Sequence, residues 1–373
     1  MMSSLIKKIG GGLVLALYSV LAQAEYAITF PKPVTETARQ ISDLHAITMW
    51  IIVAIGVVVY GAMFYSILKH RKAAGYKAAN FHHNTTAEII WTAIPFLILI
   101  GMAYPATKGV IAMKDTSASD MTVKITGYQW KWEYDYQKEG FKFMSVLSTP
   151  RDQLENKAAK GEHYLLEVDN PMVVPVGKKV RVLLTGNDVI HSWWVPAFGV
   201  KQDAIPGFIK DSWFTADKVG IYRGQCAELC GKDHGFMPIV VDVREQADYD
   251  KWVETEKAKS AAASQDSGKV FELAELSAMG EKIYATNCAG CHQPKGEGLP
   301  PVFPALAGSK VVNGPKEGQI HLVLNGKPGT AMSAFGPQMS DTDLAAVITF
   351  TRNAWGNKTG DVIQPSEIKA SRK

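Results

Sequence analysis

The stretch "CAELCGKDHGFM", residues 226–237, packs two thiols, two carboxylates, an imidazole and a thioether into twelve residues. A second cluster, "CAGCH", follows at 288–292, and together the two hold all four cysteines of the chain. Soft donors at that density mean either cross-links or metals. The compartment in which this part of the chain lies decides how to read them.

The N-terminus speaks to that compartment. Lys7 and Lys8 precede an apolar run, "LVLALYSVLAQA", that ends in Ala22-Gln23-Ala24. A basic start, a short apolar core and an Ala-x-Ala ending predict a secretory signal peptide over 1–24. Two later runs carry no charge: 23 residues at 46–68 and 18 at 89–106. A spanning helix needs about 20 apolar residues, so these predict two transmembrane helices rather than core helices. The loop between them, 69–87, carries Lys69, Arg71, Lys72 and Lys77 and no acid. Excess basic charge marks the cytoplasmic side. Everything after about residue 107 is then outside, as the leader also requires.

Charge adds little: the net is +4, of which Lys7 and Lys8 supply two. No basic stripe points to nucleic acid. The expected plan is a two-helix hairpin over 25–110, an all-β domain over 111–253, a linker over 254–271, a helical domain over 272–359 and a tail over 360–373. The β reading rests on "MTVKITGYQWKWEYDY", "HYLLEVD", "KKVRVLLTG" and "PIVVDV", short Val-, Tyr- and Thr-rich runs broken by Gly, Pro and Asn. The linker reading rests on "ETEKAKSAAASQDSG", which has no core-forming periodicity. In the last helical run, "SDTDLAAVITFTRNAW", Ser340 stands at the N-cap with Asp343 three residues on, close to a capping box.

Disulfides are the alternative use of exported cysteines. Cys226 and Cys230 would close only a small loop, and Cys288 and Cys291 belong to another motif. A metal reading uses more of the residues. Two thiolates, the His234 imidazole and the Met237 thioether suit copper, whose reduced form favours sulfur, whereas structural zinc has no need of the Met. A further His is expected from an earlier strand. His191 in "NDVIHSWWVPAFG" fits better than His163 or His45.

The runs "GYQWKWEYDY", "VIHSWWVPAFGVKQDAIPG" and "GIYRGQCAELCGKDHGFMPIVV", after two spans, resemble subunit II of the cytochrome c oxidases over about 40–245. The resemblance implies a cupredoxin Greek-key barrel with a dinuclear copper A centre. Cys226 and Cys230 would bridge the two coppers, and His191 and His234 would bind one each. Met237 would complete one copper and the backbone carbonyl of Glu228 the other. It also implies that the Glu228 carboxylate ligates a magnesium ion shared with subunit I. Trp130, in "YQW", is implied to receive electrons from cytochrome c. Periodicity cannot separate it from Trp132, two residues on and on the same face of a strand.

"CAGCH" is the attachment motif of covalent haem c. Cys288 and Cys291 would bond the porphyrin and His292 the iron. The sixth ligand should be a later Met, which raises the potential. Class I cytochromes c resemble residues 272–356 and place that Met in a loop like "MSAFG", which favours Met332 over Met339. The Pro-rich run "GLPPVFPALAGS", 298–309, resembles the loop lining their haem.

A copper A barrel fused to a haem c domain resembles subunit II of the caa-type oxidases. The implied role is to take electrons from a soluble or membrane-bound cytochrome c, through haem c and copper A, to subunit I. There oxygen is reduced to water and protons are pumped. Expected partners are subunits I and III and the lipid of a bacterial cell membrane, with both cofactor domains on the outer side. The rivals are the copper A subunit of a nitric oxide reductase and a stand-alone membrane-anchored electron carrier. Glu88 separates the oxidase from these. In "EIIWT" it matches a glutamate that in oxidase subunit II stands at the mouth of a proton channel, though an acid there could simply cap the second helix.

Overall fold

The computed structural model describes residues 29–77, 80, 82–265 and 268–372, so the expected signal peptide lies outside the described residues. Two long helices come first, α1 (Glu36–Lys69) and α2 (Thr85–Lys114). Both are long and apolar enough to cross a membrane, and their apolar windows are wholly unburied by the rest of the chain. At 34 residues α1 reaches about 50 Å, beyond the roughly 30 Å of a hydrocarbon core. The expected spans 46–68 and 89–106 therefore lie inside helices that continue past them. Pro95 and Pro105 sit within α2, as spanning helices tolerate.

The next domain comprises β1 (Met121–Tyr128), β2 (Lys131–Tyr136), β3 (Phe141–Ser145), a helical turn α3 (Arg151–Leu154), β4 (Met172–Pro175), β5 (Lys179–Gly186), β6 (His191–Val195), β7 (Val200–Ala204), β8 (Lys210–Thr215), β9 (Gly220–Cys226) and β10 (Pro238–Arg244). They form two five-stranded sheets, β3-β2-β1-β5-β8 and β4-β10-β9-β6-β7. Strands β1 and β5 pair in parallel, as do β4 and β10, while the remaining pairs are antiparallel. Alternation along β5 sends Val180, Val182 and Leu184 inward. They join Ile125, Trp132, Tyr134, Trp193, Phe214 and Ile239 in one core between the sheets.

Two expectations about strands fail. "HYLLEVD" is mostly turn, touching the sheet through a single bridge from Val168 to Leu147. Leu165 takes a positive φ of 62° and donates its amide to the Thr149 hydroxyl, a conformation no strand allows. "MTVKITGYQWKWEYDY" is two strands, because Tyr128 pairs with Lys131 across a hairpin whose turn is Gln129-Trp130.

Both helices are tied to the barrel. Thr35 donates from its hydroxyl to Phe198 O at 2.8 Å, and the Val34 amide donates to Ala197 O at 3.1 Å. Arg39 pairs with Asp217. At the far end of α2, the Trp213 indole donates to Ala112 O at 3.2 Å.

The rest is helical: α4 (Gln246–Gln265), α5 (Leu273–Asn287), the short α6 (Ala289–His292), α7 (Lys316–Asn325), α8 (Asp341–Asn353) and α9 (Pro365–Ser371). Helix α4 runs through the expected boundary at 253/254 and through most of the expected linker. Tyr249 and Val253 on its first turns are buried against the barrel, and Trp252 packs there with Tyr136, Phe141 and Phe143. Alanine and lysine beyond them keep a solvated helix going without a core face. The expected tail is part of the last domain. Ile363 and Ile368 are fully buried in its core, and the Gln364 amide group bridges to both backbone groups of Phe271. Helices α5 and α8 cross so closely at Gly280 that a Cβ there would stand 2.1 Å from Ala346 O. Ser340 caps α8, accepting from the Asp343 amide at 3.1 Å.

Candidate metal centres

Strand β9 ends at Cys226, whose amide donates to Met237 O at 3.3 Å just before β10. The loop 227–236 therefore leaves and returns at one point, with its donors folded inward. The two thiols stand 3.8 Å apart. Cys230 Sγ lies 3.5 Å from His234 Nδ1 and 3.4 Å from Met237 Sδ, and Cys226 Sγ lies 3.4 Å from the Glu228 carbonyl oxygen. His191 comes from the next strand. Pairing of β6 with β9 sets Trp193 opposite Cys226, and the ligand atoms of His191, Cys226 and Cys230 fall within 4.8 Å of one another. All six residues expected from the sequence meet here. The Glu228 carboxylate belongs to an exposed residue on the outside of the loop.

The donor set fits copper on three observations. His191 is fully buried, its Nε2 is bonded to Asp188 Oδ1 at 2.8 Å, and its Nδ1 has no protein partner. A buried, unpartnered ring nitrogen is costly unless something binds it. Asp188 fixes which nitrogen is free, as second partners of metal-bound histidines do. Cys226 and Cys230 are both buried, and the hydrogen bond between them pulls the Cys226 thiol far down and pushes Cys230 up. One of the pair ionises readily and the second resists, so a cation is what would let both serve as thiolates. Room for the imidazole comes from Gly127, where a Cβ would stand 2.8 Å from the His191 ring.

Asp188 and Gly127 were not singled out from sequence. An acid three residues before the candidate His was the available signal for Asp188. Gly127 gave none, because it acts across the sandwich.

The structure separates the two tryptophans that periodicity left together. Trp132 is wholly buried in the barrel, with its ring 5.9 Å from that of His191. Trp130 is half-buried in the β1–β2 turn, and its indole N–H donates to Cys230 O at 3.3 Å. It is thus bonded to the backbone of a candidate ligand and is not a strand residue.

In the last domain, Cys288 and Cys291 are free thiols at the end of α5 and in α6. Burial pushes the Cys288 thiol up to about 12 and Cys291 upward as well. His292 Nδ1 donates to Pro304 O at 2.8 Å, within the expected haem-lining run. That bond leaves Nε2 as the free nitrogen, and burial lowers the imidazole pKa, which favours the neutral form an iron ligand needs. These residues fit a covalently held haem. Met332 is half-buried in the loop after α7, while Met339 packs against the helical core. Glu88 lies in the first turn of α2. Its carboxylate accepts from the Asn84 amide at 3.3 Å, and Asn84 accepts in return from the Ala87 amide at 3.1 Å.

The sequence matches three family models. "Cytochrome C oxidase subunit II, transmembrane domain" covers residues 23–108, and "Cytochrome C oxidase subunit II, periplasmic domain" covers 121–244. "Cytochrome C oxidase, cbb3-type, subunit III" covers 276–350. Cytochrome c oxidase subunit 2 of Alkalihalophilus pseudofirmus is 30% identical over 357 residues, spanning 91% of this chain and 94% of the relative. That of Cereibacter sphaeroides is 39% identical over 238 residues, 60% of this chain and 78% of the relative. The crystal structure of the periplasmic domain of subunit II of cytochrome oxidase of Bradyrhizobium japonicum aligns at 48% identity, with 39% of this chain, 98% of that one and a TM-score of 0.35.

Proposed function

The chain belongs to the cytochrome c oxidase subunit II family, and from that premise we propose that it is the electron-input subunit of a cytochrome c oxidase carrying its own haem c domain. Copper and haem c are its implied cofactors. The observation that carries the reading is the meeting of His191, Cys226, Cys230, His234, Met237 and the Glu228 carbonyl around two thiols 3.8 Å apart. Cys226, Cys230, His191 and His234 would hold the copper. Met237 and the Glu228 carbonyl would complete the set. A copper pair joined by thiolates shares one electron over two metals, so little geometry changes on transfer. Cys288 and Cys291 would hold the haem, with His292 and Met332 on its iron.

What the chain itself does is hold these donors still. Asp188 orients the His191 imidazole, Pro304 orients His292, and Gly127 leaves the space that His191 occupies. Trp130, bonded to the carbonyl of Cys230, is the proposed point at which electrons enter the copper domain. The oxygen-reducing site belongs to subunit I, and subunits I and III of a haem–copper oxidase are the proposed partners. Leu229, 77% exposed beside Glu228, is an apolar group that such a partner would cover. The Glu228 carboxylate, exposed on the outside of the loop, is proposed to ligate a magnesium ion at that contact. The membrane is proposed to be a bacterial cell membrane, with the basic residues between α1 and α2 inside.

The test is Cys226→Ser in the full chain. The mixed-valence copper signal in the EPR spectrum should vanish, while haem stays covalently attached on a denaturing gel. An unchanged dinuclear signal would remove Cys226 from the site and the reading with it.

A further inference from the structure

Three lysines of the barrel reach across to the last domain. Lys131, the first residue of β2, is 5% exposed; its ammonium donates to Asn287 Oδ1 at 2.9 Å and stands 5.1 Å from the centre of the Phe335 ring. Lys232 donates to Gly290 O at 2.8 Å, and Lys142 donates to Pro337 O at 3.1 Å and to Glu133 at 3.0 Å. On the barrel side two of these lysines flank the copper cluster. Lys131 follows Trp130, and Lys232 lies between Cys230 and His234. On the other side, Asn287 and Gly290 bracket Cys288 in the attachment motif. Asn287 is also the last residue of α5, where the helix dipole favours a cation. Gly290 fits closely: a Cβ there would stand 3.2 Å from Asp233 Oδ2.

A buried ammonium with one neutral acceptor and an aromatic face is costly to desolvate, and it repays that cost only while the two domains stay together. A freely swinging domain would leave Lys131 in water. We propose that Lys131, supported by Lys232 and Lys142, is a positioning residue that holds the haem domain fixed on the Trp130 face of the copper domain, so that electrons cross a preformed joint rather than waiting for a tethered encounter. This rests on the haem and copper assignments above, and its test reads the joint separately from them.

In the assembled oxidase, hydrogen exchange at amides 127–133, 333–336, 338 and 339 reports opening of the joint. Lys131→Met should lower their protection about ten-fold, the scale of one lost charge-assisted hydrogen bond. Lys232→Ala should act in the same direction and serves if Lys131→Met does not fold. After photochemical reduction of haem c, copper reduction in the wild type should not slow as glycerol raises the viscosity. In the triple variant Lys131→Met/Lys142→Ala/Lys232→Ala it should become slower and viscosity-dependent. Unchanged exchange in Lys131→Met, or a viscosity-dependent rate in the wild type, overturns the proposal. Loss of the copper signal or of covalent haem from the wild type would instead strike the functional reading.

Discussion

Met332 and Met339 are seven residues apart and chemically identical, so their surroundings decide between them. Met339 is half-buried and packs against the helical core. Met332 lies in the loop that folds back on Gly326, its carbonyl accepting from the Lys327 amide at 2.8 Å. A thioether on the iron favours the reduced state. Met332→Ala should therefore lower the haem midpoint potential in a redox titration of the full chain. Met339→Ala should leave the potential near its wild-type value and cost about 1 kcal/mol of stability, as truncation of a half-buried side chain. The reverse pattern of potentials would assign the iron to Met339. At this scale the ligand types were legible because soft donors at such spacing have few other uses. The groups that aim them, Asp188 and Gly127, were not, since each acts on a neighbour brought in by folding.

At the scale of the element, the structure gives Glu88 the role of a cap at the N-terminus of α2, and we propose proton entry as a second role for it. Glu88 and Asn84 satisfy amides of the first turn between them, a cap worth about 1 kcal/mol. That geometry accounts for the cap, and the proposed proton path calls on the same carboxylate. Glu88→Gln keeps an oxygen that can accept from Asn84 but cannot carry a proton. It should slow oxygen uptake by the assembled complex about ten-fold or more, while stopped-flow reduction of haem c and copper stays normal. Normal turnover in that variant would leave Glu88 as a cap alone. Element type was legible where one signal dominated, as in the charge-free spans and the Ser340-capped α8. It failed where composition was ambiguous. "HYLLEVD" has strand residues, yet its backbone must turn at Leu165. The Ala- and Lys-rich run after 254 lacks a core face and still continues as helix, because α4 is anchored upstream by Tyr249, Trp252 and Val253.

Across the whole molecule, burial makes single ionic contacts matter. Arg352 on α8 is 2% exposed and is held by Asp361 at 2.8 Å and by the carbonyls of Val312 and Gly314. The Arg352 hydrogen bond holds the Asp361 carboxyl below its usual range. A carboxyl depressed in the folded state stabilises above its unfolded value, near pH 4, and that contribution is lost as pH falls through the folded value. Asp361→Asn should cost about 1–3 kcal/mol at neutral pH and should flatten the loss of stability of the haem domain below about pH 4. Urea unfolding followed by circular dichroism of the haem band in the full chain measures both. An unchanged acid limb would show that Asp361 is not the group responsible.

The sequence by itself determined the two spans, the division into a β and a helical domain, and the crowding of soft donors into two short stretches, 226–237 and 288–292. Each of these is written in local chemistry: an uninterrupted apolar run, strand-forming residues between turns, or sulfur and imidazole within a few residues. Only the tertiary structure decided that Trp130 sits in a turn while Trp132 fills the core, because both obey the same two-residue period. It alone joined residues 360–372 to the helical domain, through Ile363 and Ile368. And it alone set Lys131 between the two cofactor domains, since a lysine beside aromatic residues reads as solvated until a second domain, more than 150 residues on, covers it.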